Sequence, residues 1–196
     1  VFNTFIAKFS PTAQSIEAEG TFREILTYED FFDKENNAEF YSKWTYDSYD
    51  KTVFPDKGTY LKTIWSVDLS NVSKEEPYNN FDLYFNNYAP LNKKLSLITS
   101  LNLSKVTGEN IPFSKYPLIK GMVESGQEFS FYGLDSKGLR TKDNLLLQFG
   151  LKYNIKDNLF VTSVFNSGVY SDYLTSNTKQ ISGYGLILGR NTDFGP

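Results

Sequence analysis

Twenty-three Asp and Glu residues, with no histidine and no cysteine, bound the chemistry open to this chain of 196 residues. Two carboxylates flanking a cleft can act as acid and base on a glycosidic bond. Here the acidic residues gather in polar connectors (Glu29, Asp30, Asp33 and Glu35, then Glu75 and Glu76) or alternate with apolar residues, and no pair stands out. Lack of histidine removes the Ser-His-Asp triad and most zinc sites. Lack of cysteine removes disulfides and thiolate ligands. No Gly-x-Ser-x-Gly elbow occurs, as a hydrolase strand-to-helix turn requires. Gly183-Tyr184-Gly185 does not read as a dinucleotide loop, because no helical pattern follows it. The Asn- and Asp-rich connectors lack calcium-ligand spacing. The expectation is a chain with no catalytic residue, no cofactor and no metal site. Its net charge of −3 offers no basic field to nucleic acid.

What remains is a pattern of elements. Leu95, Leu97, Thr99, Leu101 and Leu103 fall on one face of an extended segment, with Ser96, Ser100, Asn102 and Ser104 on the other and Ile98 out of pattern. Leu145, Leu147, Phe149, Leu151 and Tyr153 oppose Asn144, Gln148, Lys152 and Asn154 in the same way. Such period-two alternation marks strands with one apolar face. It predicts strands near 2–9, 16–28, 38–50, 58–70, 80–89, 94–106, 143–154, 158–170 and 180–190, each near the roughly 9–11 residues of a tilted membrane strand. Tight connectors lie near 10–15, 53–58, 90–93 and 155–157, and long polar ones near 29–37, 71–79, 107–142 and 171–179. Their alternation gives a meander one plain end and one elaborate end, as in a transmembrane β-barrel.

Composition fits. Hydrophobic residues are 40% of the chain and aromatics 17%, with a mean hydropathy of −0.40. Half-apolar strands and interfacial aromatic girdles produce such a balance, and so does a tyrosine-rich soluble sandwich. No run approaches the ~20 apolar residues of a membrane helix. In 58–70 the lipid-facing column is Leu61, Thr63, Trp65, Val67 and Leu69, and the lumen column is Tyr60, Lys62, Ser66, Asp68 and Ser70. In 16–28, Glu17, Glu19 and Arg23 would share the lumen face. Unpaired charges of that kind suit a wet interior and not a dry core.

The stretch from Asp47 and Asp50 to Pro55-Asp56-Lys57-Gly58 resembles a signature of the BamA/TamA-type bacterial surface-antigen outer-membrane barrels: an aspartate-bearing strand, a Pro-x-x-Gly turn, another strand. Collinear likenesses follow. Ile111-Pro112-Phe113 resembles the start of the family's large loop. Phe131-Tyr132-Gly133-Leu134 stands where the family usually has Val-Arg-Gly-Tyr/Phe. Val164-Phe165-Asn166-Ser167-Gly168 resembles Phe-x-Asp-x-Gly. Gly183-Tyr184-Gly185, with Gly195-Pro196 after it, resembles the Gly-x-Gly strand and its turn. Two departures are coupled: Tyr132 replaces the loop arginine and Asn166 replaces the aspartate that it pairs with in the family. Losing both charges together avoids leaving one unpaired. The expectation is that Tyr132 and Asn166 lie close and hydrogen-bonded inside the barrel.

This resemblance implies an all-β, antiparallel up-and-down meander, about nine strands of a sixteen-stranded transmembrane β-barrel. Residues 1–196 would form one barrel segment truncated at both ends, and 107–142 a long lumen-entering loop. The divergent loop is most similar to the translocator barrels of patatin-like phospholipase autotransporters. It implies a non-catalytic translocator or anchor in the bacterial outer membrane, with any phospholipase outside this chain. Its partners would be outer-membrane lipid, the remaining strands of the same barrel and an attached passenger domain, with no nucleic acid. The competing expectations are a soluble β-barrel or sandwich holding a lipid or sugar, and a carboxylate-dependent hydrolase.

Overall fold

Serine, asparagine and glutamine alternate with leucine along the central segments, and such residues stay extended when the two faces of a sheet meet different surroundings. The computed structural model describes residues 2–9, 38–51, 54–68, 78–108, 111, 113–121, 129–134, 138–156 and 159–190. Its strands are β1 (Phe2–Phe9), β2 (Ala38–Asp47), β3 (Gly58–Asp68), β4 (Asn79–Pro90), β5 (Leu95–Thr107), β6 (Leu118–Ile119), β7 (Leu139–Lys156), β8 (Leu159–Asp172) and β9 (Thr178–Arg190). The sheet runs in the order β1-β2-β3-β4-β5-β7-β8-β9, and the short β6 pairs with the start of β7. Every pairing is antiparallel. Among the described residues the sheet is open, with β1 and β9 at its edges.

Three expectations need correction. Residues 2–9 pair directly with 38–47 in antiparallel register, so the seat beside β2 does not belong to 16–28. That segment lies outside the described residues, as do Glu17, Glu19, Arg23, Gly195 and Pro196. The supposedly long connector 171–179 is a short turn over 173–177. Asp172 Oδ1 accepts the Leu174 and Thr175 N–H groups there, and an Asx turn of this kind lets a polar stretch reverse tightly. The joint between β2 and β3 is tight as expected, because the ladder continues past β2 through Ser48 N–H to Thr59 O and Asp50 N–H to Lys57 O. β7 is 18 residues long, well beyond the roughly 9–11 that cross a bilayer. Its start carries Arg140, Thr141 and Asp143, polar residues that read as connector.

The two faces are inverted relative to a soluble protein. Leu145, Leu147, Phe149, Leu151, Tyr153 and Ile155 are exposed on β7, with Leu147 at 41% and Phe149 at 53%, while Gln148 and Lys152 between them fall to 8% and 3%. Across β5, Ser96, Ser100 and Ser104 are buried on the concave side. Ile98 is buried there too, and Gly150 in the facing strand leaves it room. The dry-cored sandwich required the opposite placement. Trp65 on β3 is the register partner of Phe81 on β4 and lies diagonally from Phe40 on β2, and all three are exposed on the outer face. The Phe40 and Trp65 rings meet edge-on at 5.7 Å. Aromatic belts of this kind sit where a barrel wall passes from hydrocarbon to water.

Gly58 opens β3 at φ 116°, a conformation that side chains rarely adopt, and a Cβ there would strike the Ser48 carbonyl. Strain and collision add, so Gly58→Ala is expected to cost about 2 kcal/mol, read as a lower urea midpoint of the folded protein in detergent.

Candidate functional site

Register brings together residues far apart in sequence. Tyr60 pairs with Asn86, Asn86 with Ser100, Ser100 with Gln148, Gln148 with Asn166, and Asn166 with Gly183. One row of concave-face positions therefore crosses six neighbouring strands. Its centre is a neutral hydrogen-bonded belt. Ser100 Oγ lies 3.0 Å from both Asn86 Oδ1 and Gln148 Oε1. Gln148 Nε2 donates to Asn166 Oδ1 at 2.7 Å and to the Ser130 carbonyl at 3.2 Å. Asn166 Nδ2 donates to the Tyr132 carbonyl at 3.4 Å.

The segment seated on this belt is 129–134, from the connector between β5 and β7. Phe131 is 1% exposed, and its N–H bonds the Lys120 carbonyl. Tyr132 and Asn166 are close, but the amide reaches the backbone carbonyl and not the phenol. The phenol ring lies over β9 instead: a Cβ on Gly185 would sit 2.6 Å from it, and one on Gly183 would collide with the Tyr132 carbonyl. The glycines of the Gly-x-Gly strand thus make a backbone-width seat for the segment. Gly133 has φ 98° and follows Tyr132 across this crossing. Gly168 lies against the backbone of Leu145 and Leu146 in β7.

The connector is pinned at its roots as well. Arg140 Nη1 donates to the carbonyls of Tyr116 at 2.8 Å and Ser114 at 3.2 Å, and its guanidinium lies 4.8 Å from the Phe113 ring. A cavity of about 230 Å³ lies beneath, lined by Lys62, Asp82, Asn102, Ser104, Phe129 and neighbours. Among the described residues, Asp82 is the one carboxylate in that lining. An acid/base pair needs two, and the described lining holds one.

At the plain end the aspartates of the Pro-x-x-Gly stretch each hold backbone. Asp47 Oδ1 accepts the Tyr49 N–H at 2.9 Å, and Asp50 Oδ1 accepts those of Asp56 and Lys57 at 3.0 and 3.2 Å. The turn thus folded carries buried Pro55 and the Asp56 carboxylate inward. Asp56 Oδ1 lies 2.7 Å from Lys152 Nζ on β7, and Asn154 Nδ2 donates to it at 3.0 Å. Nothing local in the sequence signals this pair; the only hint is a lysine on an otherwise uncharged lumen column.

Burial opposes ionisation of Asp56, yet hydrogen bonds from Lys152, Lys51 and Asn154 outweigh it and hold the carboxyl well below the usual carboxylate range. A depressed carboxyl stabilises the fold above its unfolded value and loses that contribution only as pH falls through its folded value. The difference between wild type and Asp56→Asn is therefore expected to stay constant from neutral pH down to about pH 4 and to collapse in stronger acid, measured by denaturation in detergent. Asp56→Ala leaves a lysine that is 3% exposed without its counter-charge. The expected loss is about 2 kcal/mol, below the full penalty of a broken buried pair because Asp56 keeps some solvent contact. Lys152→Met added to Asp56→Ala should recover most of it.

No curated protein matches this chain. A family model for the OMP85 superfamily matches residues 12–196, spanning most of the strands, the seated segment and its glycine seat. With polar groups on the concave wall, leucines on the outer wall and a loop turned onto the belt between, the chain belongs to the OMP85 superfamily, and is an outer-membrane β-barrel protein.

Proposed function

We propose that this chain is the membrane-embedded translocator and anchor of a secreted passenger in a bacterial outer membrane, most akin to the barrels joined to patatin-like phospholipases, and that it catalyses nothing itself. In this role outer-membrane lipid covers the leucine face, further strands of the same barrel pair with the edges of β1 and β9, and residues 107–142 form a lumen-entering loop. Superfamily membership supports a role in transport or assembly. The observation that carries the finer proposal is the neutral seat. Asn166 and Gln148 hold the loop segment through its backbone carbonyls, so the segment can leave without stranding a buried charge. A charged lock would resist that release. A channel that must pass a polypeptide and reseal benefits from a plug of this kind.

The test is surface display. A reporter domain joined ahead of the barrel in the full protein should become sensitive to protease added outside whole cells. A reporter that stays inside, while the barrel shows heat-dependent gel mobility in the outer-membrane fraction, would overturn the translocator role and leave the barrel intact.

A further inference from the structure

The plain-end turn does not project away from the sheet. It is rooted between β2 and β3, yet Phe54 packs on Phe160 of β8 with ring centroids 4.7 Å apart. Ser96 Oγ of β5 donates to the Asp56 carbonyl at 2.8 Å. From β3 to β8 is four strand spacings, roughly 19 Å along the sheet. A chain segment that touches both must cross the concave side at the mouth.

Its landing site is a built socket. Lys152 Nζ donates to the Phe54 carbonyl at 2.6 Å, the Pro55 carbonyl at 3.1 Å and Asp56 Oδ1 at 2.7 Å. These use all three protons of an ammonium group. The Phe160 ring covers the same nitrogen at 4.6 Å. Phe54 itself adopts φ 52°, a left-handed conformation unfavourable for a bulky residue, held while its carbonyl bonds the lysine. The turn also connects inward. Tyr49 stacks on Tyr60 at 5.9 Å, Tyr60 meets Tyr84 at 5.7 Å, and Tyr84 meets Phe129 at 6.4 Å. This aromatic column runs from the plain-end turn to the segment seated on the amide belt.

We propose that the plain-end turn, through its described residues 48–51 and 54–57, is an intramolecular plug that closes the plain mouth of the barrel, latched by Asp56 in the Lys152 socket and coupled through Tyr49, Tyr60 and Tyr84 to the seated loop. The polypeptide or solute path stays shut while the latch is closed. Opening it frees Phe54 and withdraws Tyr49 from the column, which loosens Phe129 and its segment. The plug rests on the barrel described above and on no particular cargo.

The experiment uses the full protein in its outer membrane with Asp56→Cys and Asn154→Cys together; residues 1–196 have no cysteine to interfere, and any cysteine elsewhere in the protein is replaced by serine. Under mild oxidation most molecules should form the 56–154 disulfide. Purified and placed in planar bilayers, the oxidised protein should conduct little. Reduction should raise conductance several-fold and speed proteolysis within 129–134. Lys152→Met, with both natural residues kept at 56 and 154, should conduct like the reduced protein. Failure of the disulfide to form in heat-modifiable protein overturns the docked turn. Equal conductance in the two redox states overturns the plug, and unchanged cleavage at 129–134 overturns the coupling. Absence of heat-modifiable protein from the outer membrane would bring down the barrel itself, a different result from any of these.

Discussion

Leu147→Arg is expected to destabilise the protein by about 2–4 kcal/mol, while Asn102→Arg, on the concave wall, costs under about 1 kcal/mol. Leu147 stands near the middle of β7 on the exposed face. Its register partners on either side are Leu101 and Ser167. An arginine there must carry its charge into hydrocarbon or bend towards a headgroup. Asn102 lines the cavity that holds Asp82 and Lys62, where a guanidinium meets a carboxylate and polar groups. In a soluble sandwich the order of the two effects would reverse, since an exposed leucine would accept a charge at little cost. Urea titration of the folded protein in lipid vesicles reads both values.

Gly183→Ala should unseat the loop segment without unfolding the sheet. The added methyl collides with the Tyr132 carbonyl, a backbone atom that cannot rotate aside. Displacing that carbonyl also breaks the hydrogen bond from Asn166. The cost of about 1–3 kcal/mol falls on docking of 129–134, because the β8–β9 ladder uses backbone groups that a methyl does not touch. Limited proteolysis of the membrane-embedded protein should therefore cut this segment much faster, with heat-dependent mobility retained. Ser182→Ala, one residue away and exposed, should leave cleavage unchanged. Equal resistance in Gly183→Ala would mean that the segment is held without the glycine seat.

The strands were legible where each face has one neighbour. Leu95 to Leu103 and Leu145 to Tyr153 alternate cleanly because one side meets an apolar medium and the other polar groups. Legibility failed where a strand outruns that medium. Arg140 and Thr141 of β7, and Ser171 and Asp172 of β8, look like connector because both of their faces tolerate polar residues there. Ile98 broke the pattern for a packing reason, filling the space that Gly150 leaves. The candidate site was half legible. Collinear glycines and the paired loss of charge at Tyr132 and Asn166 pointed to a seat, but only register shows that Asn86, Ser100 and Gln148 complete it. The Asp56–Lys152 latch joins residues almost half the chain apart, and no local spacing can reveal a contact made through sheet curvature.

The direct test is a cysteine scan of residues 144–152 in the membrane-embedded protein, each carrying a nitroxide label. Collision with lipid-dissolved oxygen should be high at 145, 147, 149 and 151 and low at 144, 146, 148, 150 and 152, with a period of two. High oxygen collision at 148 and 152, with 147 and 151 shielded, would place lipid on the polar wall and contradict the fold's inside-out arrangement.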